Sequence, residues 1–280
     1  MKREPLPGPA CAFEAHTGPI ERLDRHSFAL QLAPHHLNFA GRFHGGMVLT
    51  LLTSAGTQVA REAAAERVGP QAIAELLSLD CNFISAAQGA ARVVAEVEVT
   101  RVTRTVVFLS VGIAAGDEVL SRASAVYRIG APGPVVPDAR VAVGAALEPG
   151  ATWSRLVTSE PLGNHLAPVY ERALPGGPRC ARFRVDSNRL ASDGMLHEGM
   201  ALYVADVFTG RMAVAASGAR CVTLGMQARR FAAAPPGAWI EFEPRLRHAM
   251  PSVVFVDGSF TAAGQVLYEV STVWKVLGAA

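Results

Sequence analysis

The sequence contains a short glycine-rich motif twice, at positions 153 residues apart (197 − 44 = 153). HGGM begins at His44 and HEGM begins at His197. A glycine precedes each histidine by three positions, Gly41 in the first half and Gly194 in the second. In a chain of 280 residues, a repeat at this spacing predicts two copies of one structural unit.

The residues that follow each motif have the same pattern in both halves. A stretch without proline and rich in Ala, Leu, Val and Met predicts one buried helix in each half, over residues 47–66 and 200–217. Runs with strand composition follow each helix. Their ranges are 74–87, 91–104, 105–115 and 118–129 in the first half, and 220–231, 239–247, 252–262 and 265–277 in the second. One more strand is predicted before each helix, over 26–33 and 179–186.

This order of elements predicts an α+β fold in which a helix covers the apolar face of an antiparallel sheet. Residues 131–150 contain several prolines and glycines, a composition typical of a linker. We therefore expect two domains, over residues 1–140 and 150–280. Two copies in one chain predict a pseudo-two-fold pairing, like that of a dimer whose subunits have been fused.

Composition and charge exclude several classes of function. A net charge of +2 is too small to indicate a nucleic-acid partner. The N-terminus lacks the apolar region of a signal peptide, and the longest uncharged stretch, residues 44–60, is shorter than a membrane span. The four cysteines have neither metal-ligand nor disulfide-framework spacing. These features predict a cytoplasmic protein with reduced thiols, no metal and no cofactor, and no membrane partner.

The two motifs and the elements behind them resemble the PaaI-like hotdog-fold acyl-CoA thioesterases. The signature N-x-x-G-x-x-H-G-G begins at Asn38, and G-x-x-H-E-G begins at Gly194. The resemblance covers residues 20–130 and 150–278 and implies a tandem, or double, hotdog, each unit a long helix wrapped by an antiparallel sheet. In that family the site lies between two hotdogs. One provides the Asn and the glycine-rich helix start, and the other provides an acid in its helix and often a hydroxyl on the next strand.

The resemblance implies one complete site in this chain. Asn38 in the first half and Asp206 in the second half stand at the family's positions. Thr53 replaces the acid of the first half, and Ala191 replaces the amide of the second. Pairing Asn38 with Asp206 therefore predicts one working site, whereas the other pairing lacks both groups. Thr223, on the strand after the second helix, stands where the family often has a Ser or Thr, and we expect it to hold the attacking water by a hydrogen bond.

Each of these residues suits attack on a thioester. The carbonyl oxygen gains negative charge during the attack, and we expect the Gly45 N–H at the helix start to stabilise it. Asn38 would orient the carbonyl or a water molecule through its amide. His44 and Gly46 are expected to contact the substrate. Asp206 lies in an apolar helical run, where desolvation raises the pKa of a carboxyl group, and it would act as general base or as nucleophile.

Structural roles for the same residues remain open from the sequence. The two motif histidines could simply cap or pack at their helices, and the glycines could permit close helix packing. Asp206 could face water or pair with Arg211. Arginine forks bind phosphate well, and the second half offers four on its strands, although strand arginines are usually solvated. They are Arg229, Arg230, Arg245 and Arg247.

The predicted function is hydrolysis of an acyl-CoA to free acid and CoA, with acyl carrier protein as an alternative thiol carrier. The resemblance also implies a homo-oligomer of double hotdogs. A hotdog hydratase or dehydratase would have an Asp and a His five residues apart in a loop before the helix, a pattern not found here. A non-catalytic acyl-CoA sensor or scaffold is the alternative from another class. The N-terminal ~20 residues are too short and proline-rich for a DNA-binding helix-turn-helix.

Overall fold

The computed structural model describes residues 10–131, 152–174 and 179–278, and the two halves repeat one order of elements, with one short strand added at the start of the second half. Those of the first half are α1 (Ala12–Thr17), β1 (Ile20–Arg22), β2 (Ser27–Gln31), α2 (Gly45–Val68), β3 (Ile73–Phe83), β4 (Arg92–Val102), β5 (Val106–Ala115) and β6 (Glu118–Gly130). Those of the second half are β7 (Ser154–Arg155), α3 (Pro161–His165), β8 (Tyr170–Ala173), β9 (Arg179–Arg184), α4 (Glu198–Ser217), β10 (Cys221–Arg230), β11 (Trp239–Ala249), β12 (Val253–Ala262) and β13 (Gln265–Val276). A 3-10 turn precedes each long helix, at Pro34–His36 and Ser187–Arg189.

The two helices and ten strands predicted from the sequence are present. Both long helices begin two residues earlier than predicted because the motif residues themselves form the first turn. The strand predicted over 74–87 ends at Phe83, and the chain then leaves the sheet. The linker predicted over 131–150, and with it the boundary between the two predicted domains, falls almost entirely outside the described residues.

Over the described residues, thirteen strands form one antiparallel sheet. Their order is β1-β2-β4-β5-β6-β3-β10-β13-β12-β11-β9-β8-β7. Strands β3 and β10 lie side by side near the centre, with Cys81 opposite Met226 and Leu79 opposite Ala228. Because this pair is antiparallel and joins equivalent strands, it relates the two halves by a pseudo-two-fold axis and makes the sheet continuous.

The two long helices pack against each other where each begins. A Cβ at Gly46 would lie 3.1 Å from the Cα of Tyr203 on α4, and a Cβ at Gly199 would lie 2.6 Å from Oγ1 of Thr50 on α2. Tyr203 follows Thr50 by the same 153 positions that separate the two glycines (203 − 50 = 153). The same close crossing therefore occurs twice, and glycine is needed at both because a side chain there would collide with the partner helix.

The apolar core is continuous across both halves. It includes Phe28 and Leu109 of the first half and Phe183 and Phe242 of the second, all almost fully buried. Among the residues that the structure describes, no helix combines the length and the apolarity needed to cross a membrane.

Candidate active site

Asp206 lies between the two halves, on the side of α4 that faces the start of α2. A Cβ at Gly45 would lie 2.8 Å from Asp206 Oδ2, so any side chain at position 45 would meet the carboxylate. Asp206 Oδ1 accepts a 2.9 Å hydrogen bond from the Oγ1 hydroxyl of Thr223. The structure thus brings together three residues singled out from the sequence, one from the first half and two from the second.

Thr223 lies on β10 immediately before a bulge in that strand. The register with β13 shifts between Thr223 and Gly225, and the register of β3 with β6 shifts in the same way between Leu76 and Ser78. Leu76 is therefore the counterpart of Thr223 in the first half. The hydroxyl that bonds Asp206 has an apolar, buried side chain as its equivalent at the other crossing.

The carboxyl group of Asp206 is almost fully buried. Desolvation raises its pKa above that of an ordinary aspartate, and the nearby charge of Glu160 acts in the same direction. A protonated His44 would lower this pKa, as does the hydrogen bond from Thr223, but they do not cancel the shift. A carboxylate with a raised pKa is a better proton acceptor, as catalysis by a general base requires.

His44 is the residue that caps α2. Its Nδ1 accepts a 2.9 Å hydrogen bond from the Gly46 N–H, which confirms the capping role considered from the sequence. Since Nδ1 accepts, the proton of the neutral ring lies on Nε2, which donates to Glu160 Oε2 at 3.2 Å. Nδ1 also lies 3.7 Å from Asp206 Oδ2. The imidazole is therefore placed between two carboxylates.

Glu160 is a site residue that the sequence motifs did not identify. It precedes α3 directly, but its side chain does not cap that helix and instead turns to His44. Burial works to raise the pKa of Glu160, yet its bond to His44 and the charge of Arg211 hold that pKa below the usual range. The sequence does contain a signal for the helix, because a residue followed by proline, here Glu160-Pro161, is typical of a helix start. Nothing in the sequence, however, links Glu160 to a histidine 116 residues away.

The first turn of α2 presents one backbone donor to the cleft. The Gly46 N–H is bonded to His44 Nδ1, and the N–H groups of Met47 and Val48 are bonded to the His44 carbonyl oxygen. Within the described residues the Gly45 N–H has no such acceptor, and Gly45 lines the cleft beside Asp206. Its position fits the predicted oxyanion donor.

Asn38 lines the same cleft, in the loop before α2. Its Oδ1 accepts hydrogen bonds from the N–H groups of Ala40 (2.9 Å) and Arg42 (3.1 Å), which folds the loop into a tight turn. The amide oxygen is therefore committed to the backbone. Only the Nδ2 group of Asn38 is free to bind a ligand. Asn38 can therefore donate a hydrogen bond to the carbonyl or to a water molecule, but its side chain cannot also accept one.

The cleft above Asp206 has a volume of about 1400 Å³ and is lined by both halves. Its walls include large apolar side chains that are strongly exposed, among them Val157 at 88% and Phe39 at 63%. Four cationic residues also line it, and they are Arg42, Arg211, Arg220 and Lys275. None of the four strand arginines suggested by the sequence is in the lining.

Arg211 does not pair with Asp206. Its guanidinium forms a 2.7 Å ion pair with Glu171 on β8. Of the strand arginines, Arg230 forms a buried ion pair with Glu198 at 3.1 Å and so supports the core. Of the two structural explanations for Asp206 that the sequence left open, pairing with Arg211 is therefore wrong.

Comparisons with known proteins agree with this architecture. Residues 40–122 match the family model described as Thioesterase superfamily. The acyl-CoA thioesterase II TesB2 from Mycobacterium marinum is 18% identical and superposes with a TM-score of 0.65, over 96% of this chain and 99% of that one. A conserved protein of unknown function with a hot dog fold from Alicyclobacillus acidocaldarius is also 18% identical, with a TM-score of 0.66 and the same coverage. No curated protein sequence matches the chain.

The chain has a double hotdog fold. The solved hotdog structures span nearly its whole length, and the α+β arrangement predicted from the repeat is confirmed. A tesB protein from Mycobacterium avium subsp. paratuberculosis agrees at 14% identity, with a TM-score of 0.66 over 92% of this chain and 96% of that one.

The other crossing of the double hotdog is filled. Phe13 of α1 is fully buried and stacks on the ring of His197, with ring centroids 4.6 Å apart. The hydroxyl of Thr53, which takes the place of the acid, bonds carbonyl groups of its own helix. Ala191 borders a remaining cavity of only about 20 Å³. This crossing has no acid at the Thr53 position, no amide at the Ala191 position and little space for a substrate.

A group of possible metal ligands also lies at this second crossing. Donor atoms of Cys11, Glu14 and His197 lie within 4.8 Å of one another. However, His197 Nδ1 accepts a 3.0 Å hydrogen bond from the Gly199 N–H, so Nε2 carries the ring proton and faces the Ser54 hydroxyl. Binding a metal would require His197 to change tautomer and to release its cap of α4.

Proposed function

We propose that this double hotdog hydrolyses a thioester, with an acyl-CoA as its substrate, at one composite site between its halves. The observation that carries the proposal is the contact of Asp206 with Gly45 across the two halves, with Thr223 bonded to the same carboxylate. Support also comes from the match to the Thioesterase superfamily and from neighbours described as acyl-CoA thioesterases. Membership of the PaaI-like group remains part of the proposal.

The proposed reaction begins with a water molecule held beside Asp206. The carboxylate removes a proton as the water oxygen bonds to the thioester carbon, and the Gly45 N–H stabilises the resulting oxyanion. The carbon–sulfur bond then breaks as the carbonyl re-forms. The thiolate takes a proton back from the site, and free acid and thiol leave.

The contacts of Asp206 favour a general base over a nucleophile. Oδ1 is held by the Thr223 hydroxyl, and Oδ2 faces the start of α2 and His44. A nucleophilic attack would require one oxygen to leave these contacts. The Thr223 hydroxyl donates a hydrogen bond to Asp206. The lone pairs of its oxygen can accept a hydrogen bond from the attacking water.

The cleft suits a thiol carrier that bears phosphate. Arg42, Arg220 and Lys275 are exposed where they line it, and phosphates bind well to such side chains. The exposed apolar wall that includes Phe39 and Val157 suits an acyl group. Acyl carrier protein, whose prosthetic group ends in the same thioester, is the alternative carrier.

The test is the release of free thiol from short, long and aromatic acyl-CoAs by the wild type and by Asp206→Asn. We expect the variant to lose at least about a hundredfold in kcat while it stays folded, because the base is removed and the shape is kept. Thr53→Ser, at the equivalent position of the other crossing, is the matched control and should keep wild-type kcat.

Turnover that survives Asp206→Asn, or that falls in Thr53→Ser, would contradict the proposed site. Tight binding of CoA without turnover by the wild type would instead favour a non-catalytic acyl-CoA binding protein. Assembly into a homo-oligomer of double hotdogs remains a prediction, and light scattering of the purified protein measures it.

A further inference from the structure

His44 has a carboxylate beside each of its ring nitrogens. Glu160 Oε2 lies 3.2 Å from Nε2, and Asp206 Oδ2 lies 3.7 Å from Nδ1. The imidazole is 4% exposed and Asp206 is 5% exposed, so water screens their interaction little. The two acids come from the second half, whereas His44 belongs to the first.

His197 is the counterpart of His44, and the chain therefore contains its own comparison. Both histidines cap a long helix through Nδ1. However, Nε2 of His197 lies 3.2 Å from the hydroxyl of Ser54 and not from a carboxylate. At this second crossing Thr53 occupies the position that Asp206 occupies at the first. Glu14 comes within 4.8 Å of His197, but within the described residues the ring nitrogens of His197 bond only the Ser54 hydroxyl and the Gly199 N–H. Capping a helix therefore does not require a carboxylate bonded to the imidazole, and the bond of Glu160 to His44 needs another explanation.

We propose that Glu160, His44 and Asp206 form a proton relay, in which His44 stores the proton that Asp206 removes from water and Glu160 stabilises the imidazolium. This inference rests on the proposed hydrolysis. The proton passes from Asp206 Oδ2 to His44 Nδ1 as the oxyanion forms. It returns through Asp206 to the thiolate sulfur as the carbon–sulfur bond breaks, so no proton is gained or lost. Glu160 is a positioning residue that acts through His44.

When Nδ1 accepts a proton, it can no longer accept the hydrogen bond from the Gly46 N–H. The relay therefore releases this one cap of α2 while the proton is stored. The N–H groups of Met47 and Val48 keep their bonds to the His44 carbonyl oxygen, which hold the first turn of α2.

Other titratable groups face His44 as well. The ring of Tyr203 on α4 lies 5.7 Å away and stays neutral, since burial raises its pKa. Arg211 acts on Glu160 and favours its ionised form. Burial alone would lower the pKa of His44, yet Glu160 and Asp206 raise it, whereas burial lowers the pKa of His197. These opposite pKa shifts agree with the structure, in which a carboxylate bonds the ring of His44 and a hydroxyl bonds the ring of His197.

The test follows the two imidazoles by NMR as pH changes, in the wild type, Glu160→Gln and Asp206→Asn. Glutamine keeps an acceptor for the Nε2–H and removes only the charge. We expect the His44 titration midpoint to fall by about one pH unit or more in each variant, while His197 stays neutral throughout. A His44 midpoint that is unchanged in Glu160→Gln would overturn the relay, because Glu160 would then be a structural partner only.

Thiol release gives the second readout and separates the relay from the proposed function. In Glu160→Gln we expect kcat to fall about tenfold or more, with little change in KM and the acid limb of the kcat profile at lower pH. Glu160→Asp should recover part of the loss. His44→Asn keeps a capping side chain and should lose activity, whereas His197→Asn should not. If Asp206→Asn abolishes turnover and Glu160→Gln leaves it unchanged, hydrolysis stands and the relay fails.

Discussion

His16 and His165 each donate an Nε2–H hydrogen bond to the backbone carbonyl oxygen of the other, at 3.0 and 2.6 Å. Their rings stack with centroids 4.3 Å apart. His16 lies in the last turn of α1 and His165 is the last residue of α3, so the bonds join the equivalent short helices of the two halves. Phe13 of α1 covers His197, and Glu160 before α3 bonds His44. Each short helix therefore packs on the long-helix start of the opposite half.

Replacing Phe13 with alanine should weaken the fold and leave catalysis unchanged. The ring is fully buried, and its loss is expected to lower the free energy of unfolding by about 3–4 kcal/mol. The crossing it covers lacks the acid and the amide, so the opened space gains no activity. Urea unfolding and thiol release check the two parts, and a rise in kcat would show that the second crossing can work.

Gly45→Ala should lower kcat without lowering stability. The new methyl group would lie 2.8 Å from Asp206 Oδ2 and displace the carboxylate, and we expect kcat to fall about tenfold or more. Alanine favours a helix over glycine by up to about 1 kcal/mol, which offsets the strain. Gly130→Ala, where a Cβ meets nothing within 4 Å, is the control. Equal kcat values in the two variants would contradict the placement of Asp206.

Thr223→Val should reduce kcat because it removes the hydroxyl and keeps the shape. A hydrogen bond to a charged group is worth about 1.5–3 kcal/mol, so the loss is expected to lie between about tenfold and a hundredfold. Thr223→Ser retains the hydroxyl and should stay close to the wild type. If valine and serine behave alike, the bond between Thr223 and Asp206 has no part in turnover.

Stability should decrease in mildly acidic solution because of His36. Burial lowers the pKa of its imidazole to about 4, so the unfolded chain takes up a proton at higher pH than the folded chain does. The stabilisation is present above about pH 6.5 and is lost as the pH falls towards 4, and about 2 kcal/mol of it is lost between pH 7 and 5. Urea unfolding at pH 7 and 5 measures this. His36→Asn should flatten the dependence, and the exposed His248→Asn should leave it as it is.

The long elements could be predicted because their physical signals are strong. The helices over Gly45–Val68 and Glu198–Ser217 are long and apolar, and the strands behind them alternate or carry β-branched residues. The resemblance assigned Asp206 and Thr223 to one site, with Thr223 holding a water molecule, and in the structure the Thr223 hydroxyl bonds Asp206 itself. The boundaries at the glycines shifted because a glycine-rich first turn carries no helix propensity of its own.

The short elements could not be predicted, and part of the site depends on them. Helices α1 and α3 have six and five residues, too few for a periodic pattern, and both are stabilised by contacts with the opposite half. Glu160 reaches His44 only through the position of α3. The hydrogen bonds that Asn38 Oδ1 accepts from the nearby backbone could not be predicted from the sequence either. An asparagine that forms such a turn and one in an open loop can have the same neighbours in sequence.

The antiparallel pairing of β3 with β10 joins the two halves of a single chain as two subunits of a dimer would be joined. Having both halves in one chain has an evolutionary consequence. In a dimer of identical subunits, every substitution occurs at both active sites at once, so neither copy can lose its acid while the other keeps it. Once the gene encodes both copies in tandem, each site can vary alone. Selection then needs to maintain a single catalytic centre, and the second becomes free to evolve as structural support.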